Sequence, residues 1–116
     1  MAKEKNALSG NTTMLLLKLL SEKDMYGYEM IETLKARSNN VFELKAGTLY
    51  PILHTLEEQE YLTAYEQESG GKTRKYYRIT KEGRKYLSQK QEEWHAYAGA
   101  VADVLNTLGG VCYGFA

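Results

Sequence analysis

A seam of apolar residues along the last third of the chain constrains the fold most. No proline occurs between Thr80 and Gly109, and apolar residues recur there at intervals of three and four, with Gln91 in the one gap. The seam consists of Leu87, Trp94, Ala98, Val101, Leu105 and Leu108. This spacing is typical of a helix that packs lengthwise against another helix. A helix from Thr80 to Leu108 would be about 43 Å long, too long for one small subunit to cover. The sequence therefore predicts a homodimer joined through this helix.

The composition fits one folded domain. The chain has 116 residues, of which 43% are hydrophobic and 26% charged, as in ordinary globular proteins. Its longest nearly apolar run, Met14–Leu20, is interrupted by Lys18 and is far shorter than the roughly 20 residues that span a bilayer. The sequence also lacks a secretory signal pattern. We therefore expect a cytoplasmic protein without a membrane segment.

Two short helices are predicted near the start of the chain. Asn11 or Thr12 can cap a first helix, whose leucines face nearly every direction and must be covered on most sides. A second, amphipathic helix ends near Arg37, because the polar residues that follow favour a turn. The apolar stretch Val41–Leu44 then suggests a short extended segment.

A third helix carries the first candidate binding surface. Pro51 lacks an amide hydrogen and is tolerated in a first turn, so the helix should begin close to Gly47 or Thr48. The free N–H groups at such a helix start suit it to meet a phosphate. A helix that merely covers a core has the same polar outer face, so this pattern alone leaves both interpretations open.

A hairpin is predicted after the third helix. Residues 62–69 and 73–80 are rich in Thr, Tyr and Ile, and Gly70-Gly71-Lys72 separates them. Alternation places Tyr77 and Ile79 on one face of the second strand and Tyr76 on the other. Because a two-stranded hairpin is marginal alone, its apolar face should rest on the helices.

Charge is segregated along the chain although its sum is zero. Residues 57–68 contain five glutamates and no Lys or Arg, whereas residues 72–90 contain eight Lys and Arg against Glu82 alone. A solvated surface of mixed sign is the ordinary outcome of such runs. The segregation affects function only if the fold gathers one sign of charge on one surface.

Four motifs occur within this order of elements. They are Tyr26-Gly27-Tyr28-Glu29, Gly47-Thr48-Leu49-Tyr50-Pro51, Leu56-Glu57, and Arg74-Lys75-Tyr76-Tyr77-Arg78-Ile79-Thr80 with Gly83. In this order and spacing, the chain resembles the PadR family of transcriptional regulators, especially its short subgroup with a single C-terminal helix. The resemblance covers about residues 10–108. One departure is Glu60, where the family commonly has a glycine, so the turn there should be longer or strained.

The resemblance implies a mainly α fold with a small β-hairpin. A winged helix-turn-helix that binds DNA would comprise residues 1–80, a long C-terminal dimerisation helix residues 81–108, and a tail residues 109–116. The seam residues would form the dimer interface.

The resemblance also implies a homodimeric repressor that places its two third helices in successive major grooves of double-stranded DNA. A dimer sets these helices about one turn, roughly 34 Å, apart, which predicts a palindromic operator. The candidate DNA contacts are Lys45, Thr48, Tyr50 and His54 on the helix, and Lys72, Arg74 and Lys75 on the wing. The lysines and Arg74 would neutralise phosphates, whereas Tyr50 and His54 would reach base edges.

Trp94 has two open interpretations. In the short PadR subgroup, a tryptophan in the paired C-terminal helices can line a central cavity that accepts flat aromatic compounds, and Trp94 stands at the matching place. It would then bind a small aromatic effector, and its indole face would favour planar cations. The other interpretation is an ordinary anchor of the dimer core.

Two other classes of function differ from a DNA-binding regulator. A winged helix without specific DNA binding could be a protein-interaction module, which the acidic run of residues 57–68 would fit if it lies beside the exposed end of the third helix. An enzyme is not expected, because His54 and His95 lie on different elements and neither has a zinc-binding spacing with a carboxylate. The single cysteine, Cys112, leaves no intrachain disulfide and no multi-cysteine zinc site. No cofactor and no metal are therefore predicted.

Overall fold

The computed structural model describes residues 2–106, with side chains from residue 11 onward. These residues form four helices and a small three-stranded antiparallel sheet. Their order is α1 Ala2–Glu22, β1 Met25–Tyr26, α2 Gly27–Arg37, α3 Ala46–Glu58, β2 Leu62–Ser69, β3 Lys72–Ile79 and α4 Lys81–Leu105. This is a mainly α winged helix-turn-helix with a long C-terminal helix, as predicted. None of the helices among these residues is long and apolar enough to cross a membrane.

Helix α1 forms the centre of the core. Leu16, Leu17 and Leu20 are fully buried, and they belong to one cluster with Met30 of α2 and Leu53 of α3. Leucines on nearly every side of α1 are therefore covered, as the sequence predicts.

The predicted start of α1 is wrong. The helix begins at Ala2, so Asn11 and Thr12 lie inside it rather than at its start, and Thr12 is buried. The residues before Asn11 include alanines, lysines and a glutamate, which are strong helix formers, and they carry the helix past the capping pattern.

Helix α2 ends at Arg37, as predicted, and a loop leads to α3. Asn39 and Asn40 have positive φ angles, and the Asn40 N–H donates to the Lys35 carbonyl at 2.8 Å, which closes the helix end. The segment Val41–Leu44, which the sequence predicts to be extended, is not one of the strands of the described sheet. Its Leu44 instead packs into the core.

The hairpin of β2 and β3 is closed by two glycines. Gly70 and Gly71 have φ angles of +61° and +81°, as a type I′ turn requires, and Ser69 pairs with Lys72 across the turn. Tyr77 and Ile79 are buried against the helices, as the alternation predicts. The sequence did not predict β1, which pairs with β3 and makes the sheet order β1-β3-β2.

Helix α4 starts at a threonine cap, as predicted. The Gly83 N–H donates to the Thr80 hydroxyl at 2.9 Å, and that hydroxyl donates to the Glu60 carbonyl at 2.8 Å. The described part of the helix runs to Leu105, so the predicted end at Leu108 is not tested. Leu108 and the tail, with Cys112, lie outside the described residues.

Candidate nucleic-acid interface

The exposed side of α3 contains four of the predicted DNA contacts. Lys45 is the N-cap residue, and its carbonyl accepts hydrogen bonds from the backbone N–H groups of Thr48 and Leu49, both at 2.9 Å. Leu49, Leu53 and Leu56 bury the opposite side of the helix. Lys45, Thr48, Tyr50 and His54 are all exposed. The start of α3 is therefore an open surface.

The four helix candidates do not share one stripe. Tyr50 and His54 are one turn apart and lie side by side, because a helix repeats every 3.6 residues. Thr48 lies at the other edge of the exposed side, with Gly47 between the two edges. A Cβ at Gly47 would meet no atom within 4 Å, so this surface can be approached closely.

The fold places the three wing candidates in different surroundings. Lys72 is exposed beside the turn. Arg74 is half-buried on the outer face of the sheet, where its guanidinium carbon lies 4.4 Å from the centre of the Tyr26 ring. Lys75 points to the other face, with its Nζ 3.8 Å from Oε1 of Glu57 on α3. Of the three, Lys72 has the most open setting.

The fold does not gather the segregated charges into two separate surfaces. The acidic strand β2 pairs with the basic strand β3, so that Glu66 stands opposite Lys75 in the sheet. The acidic run does begin at the C-terminal end of α3, but the first of its residues, Glu57, is half-buried beside Lys75. Much of the negative charge therefore lies next to positive charge.

A polar network that the sequence did not predict attaches the wing to the loop after α1. The Tyr65 hydroxyl donates to Oδ2 of Asp24 at 2.6 Å, and Arg78 donates to the same oxygen from Nε at 3.1 Å. The Arg78 Nη2 also lies 3.0 Å from this oxygen in an ion pair. The hydrogen bond to the Asp24 carboxylate raises the pKa of Tyr65, and the same carboxylate raises the pKa of Arg78. No spacing signal links residues so far apart in the chain.

Three tyrosines stack on the outer face of the sheet beside this network. The Tyr76 ring lies parallel to the Tyr65 ring at 5.8 Å and edge-on to the Tyr26 ring at 5.4 Å. Arg78 also lies 5.0 Å above the Tyr65 ring. The aromatic rings and the Asp24 network together hold the wing against the body of the subunit.

The predicted seam on α4 divides into two parts. Leu87 is 5% exposed and packs into the core of its own subunit. Further along, Trp94 is 43% and Leu105 76% exposed, with Val101 also exposed and Ala98 partly buried. Two further exposed apolar residues, Tyr97 and Val104, lie beside this stripe. Trp94, Tyr97, Val101, Val104 and Leu105 are called the α4 stripe below.

No group of three His, Cys, Asp or Glu side chains among the described residues could hold a metal ion. The architecture is instead that of a DNA-binding protein, because the second helix of a helix-turn-helix is exposed at its start and a two-stranded wing stands beside it. Residues 16–89 match the transcriptional regulator PadR-like family, and the chain belongs to that family.

Several known proteins are similar to this chain in sequence or structure. A transcriptional regulator from Clostridium thermocellum is 36% identical and superposes with a TM-score of 0.78 over 84% of this chain and 96% of its own. A PadR family transcriptional regulator from Eggerthella lenta is 34% identical, with a TM-score of 0.76 over 91% and 92% of the two chains. An uncharacterized protein of Lysinibacillus sphaericus is 44% identical over 89 residues, which are 75% of this chain and 81% of that protein. Family members are transcriptional regulators rather than enzymes, so this chain is a DNA-binding regulator.

Proposed function

We propose that the protein is a repressor that binds a palindromic operator as a homodimer in the cytoplasm. The observation that carries the proposal is the α4 stripe, whose apolar side chains a single subunit leaves in water. Burying one large apolar side chain contributes about 1.5–3 kcal/mol, so two such stripes laid together stabilise a dimer. The same patch on both subunits suits a two-fold interface.

The proposed dimer would fix the distance between two DNA-reading surfaces. Helix α4 starts at the Thr80 cap, directly after the wing strand β3, so pairing of two α4 helices also orients both wings. Two α3 helices about 34 Å apart would then enter successive major grooves on one side of the duplex.

The side chains on this surface would have different roles. Tyr50 and His54 are the candidates for base edges, because they lie side by side on the exposed helix. Lys45 and Lys72 would meet phosphates from the open positions that they already occupy. Arg74 and Lys75 would first have to leave Tyr26 and Glu57.

The salt dependence of operator binding measures how many Lys and Arg side chains contact DNA phosphates. If Lys45, Lys72, Arg74 and Lys75 each meet one phosphate per subunit, log K falls against log salt with a slope of about −7, or about ten-thousandfold from 50 to 200 mM salt. If only Lys45 and Lys72 do so, the slope is about −3.6. A slope near zero would contradict the proposal that the protein binds the phosphate backbone of DNA.

The primary test is selection of DNA from a random library by the purified protein, followed by gel shifts. We expect a palindromic sequence whose half-sites lie about one helical turn apart. Failure to enrich any sequence, with no retardation of the regulator's own promoter region, would contradict the proposal and favour a protein-interaction module.

We also propose that Trp94 lines a cavity between the paired α4 helices and binds a flat aromatic effector that releases the operator. Trp94 is the only tryptophan of the chain and is exposed in the single subunit, so its fluorescence reports on this surface. Planar cationic dyes should quench it and weaken operator binding in the same concentration range. Unchanged emission across a panel of such dyes would leave Trp94 as a dimer anchor.

A further inference from the structure

Gly27 has no backbone reason to be a glycine. It is the first residue of α2, and its φ is not among the positive angles of this chain. Every residue type can adopt helical backbone angles in the first turn, and only proline is excluded from later turns. Glycine is a poor helix former. Gly27 is nevertheless buried, so something packed against it must account for the missing side chain.

The neighbour packed against Gly27 is Tyr50 of α3. A Cβ on Gly27 would lie 2.7 Å from the Tyr50 Cζ and 3.1 Å from its Cε1, and it would lie closer still to the hydroxyl oxygen. Such distances are below van der Waals contact. An alanine at this position would therefore displace the phenol ring, whose outer end can move because Tyr50 is 45% exposed.

We propose that Gly27 is a positioning residue for DNA recognition. Because Gly27 has no side chain, α2 leaves a space in which the Tyr50 phenol packs, called the Gly27 seat below. This packing holds Tyr50 in one orientation beside His54 before DNA binds. A side chain that is already held loses less conformational freedom on binding. The proposal rests on the proposed function, because it assigns the orientation of a residue that reads the operator.

A first experiment needs no DNA. In the free protein, NMR should show nuclear Overhauser contacts between the Gly27 Hα atoms and the Tyr50 ring protons. In Gly27→Ala these contacts should be lost, while the melting temperature stays equal or rises, since alanine favours the helix. Absence of the contacts in the wild type would overturn the proposal whatever the protein binds.

A second experiment measures operator affinity in a double-mutant cycle. Gly27→Ala should weaken binding to the selected operator about tenfold in the wild type, yet have no further effect in Tyr50→Ala, because it acts through that ring. Gly99→Ala is the matched control: it also replaces a helical glycine, has no atom within 4 Å of the new Cβ, and should leave affinity unchanged.

Two outcomes of the cycle would overturn the proposal. One is that Gly27→Ala binds the operator with wild-type affinity. The other is that Gly27→Ala weakens operator binding equally in the wild type and in Tyr50→Ala. If the wild type selects no operator, the proposed function fails, and the NMR contacts still decide whether Gly27 seats Tyr50.

Discussion

Glu60 occupies a backbone conformation that disfavours its side chain. Its φ is +66°, and two hydrogen bonds of a helix end require this angle: the Glu60 N–H donates to Glu57 and the Tyr61 N–H to Leu56, both at 2.9 Å. A residue with a Cβ pays about 1–2 kcal/mol in this region. The strained turn expected at the departure from the family pattern is confirmed.

Glu60→Gly should therefore stabilise the protein. We expect the free energy of unfolding to rise by about 0.5–1 kcal/mol, because glycine relieves the strain but also gives the unfolded chain more freedom. Urea denaturation measures this change. Glu60→Ala is the matched control, since it removes the charge and keeps the Cβ, and equal stabilities of the two variants would contradict the explanation.

Tyr65 should lose its proton at a higher pH than an ordinary tyrosine, because its pKa is raised. Its pKa is raised because its hydroxyl donates to the Asp24 carboxylate, so the folded state holds the proton more tightly than the unfolded chain. The stabilisation is thus fully present below the ordinary value of about 10 and is lost as the pH rises through the raised pKa.

Ultraviolet absorbance of tyrosinate tests this prediction. The difference between the wild type and Tyr65→Phe isolates one titration among the ten tyrosines. In Asp24→Asn that titration should move to lower pH, because the carboxylate is gone. An unmoved titration would show that Asp24 does not hold the phenolic proton.

Among the elements, the helices and the hairpin follow from local chemistry. Pro51 predicts the start of α3 to within about two residues, and Gly70-Gly71 predicts the turn. Strand β1 has two residues, too few to show alternation, and it exists because β3 offers a free edge. Its detection required the tertiary structure.

The candidate site was predictable only in part. Helical period alone identifies the exposed side of α3, and strand alternation already sends Arg74 and Lys75 to opposite faces. Their partners, Tyr26 and Glu57, belong to other elements, as does the Gly27 seat for Tyr50. No sequence spacing encodes such contacts between elements.

The ion pair between α3 and the wing should restrain DNA binding. Glu57→Gln frees Lys75 for a phosphate and removes a negative charge near the DNA, so operator affinity should rise several-fold. If the ion pair keeps Lys75 off the DNA in the wild type, the salt slope should become more negative by about 2 per dimer, one phosphate for each subunit. Fluorescence anisotropy over a salt series measures both quantities.

Glu58→Gln provides the comparison for charge alone, because Glu58 is exposed at the same end of α3. Glu58→Gln should raise operator affinity slightly and leave the salt slope unchanged, because it adds no phosphate contact. Equal slopes in the two variants would mean that loss of Glu57 adds no phosphate contact by Lys75, which would contradict a restraint by the ion pair.

For the whole molecule, α4 divides into a part packed against its own subunit and a part with exposed apolar side chains. Its first turns belong to the subunit, because Leu87 packs into the core and the Tyr86 ring stacks on Tyr61 at 4.5 Å. From Trp94 to Leu105 its large apolar side chains are exposed. The regular heptad spacing of the sequence conceals this division, since buried and exposed apolar residues of α4 follow the same period.

Val101→Glu should separate the proposed dimer. The substitution places a carboxylate in the middle of the α4 stripe, where burial in an apolar interface would leave it without water. We expect dimerisation to weaken at least about a hundredfold, which corresponds to about 2.7 kcal/mol. Sedimentation equilibrium measures this change, and Ala96→Glu on the other side of α4 should leave the dimer intact.

The separation should also be visible at Trp94 and at the operator. Emission of the single tryptophan should shift to longer wavelength in Val101→Glu, because the ring enters water, and wild-type protein should show the same shift on dilution. A separated subunit retains α3 and the wing but contacts one half-site, so affinity for the full palindrome should fall far more than affinity for a half-site. A Val101→Glu protein that remains dimeric, with unchanged emission and operator affinity, would place the interface elsewhere and remove the basis for a palindromic operator.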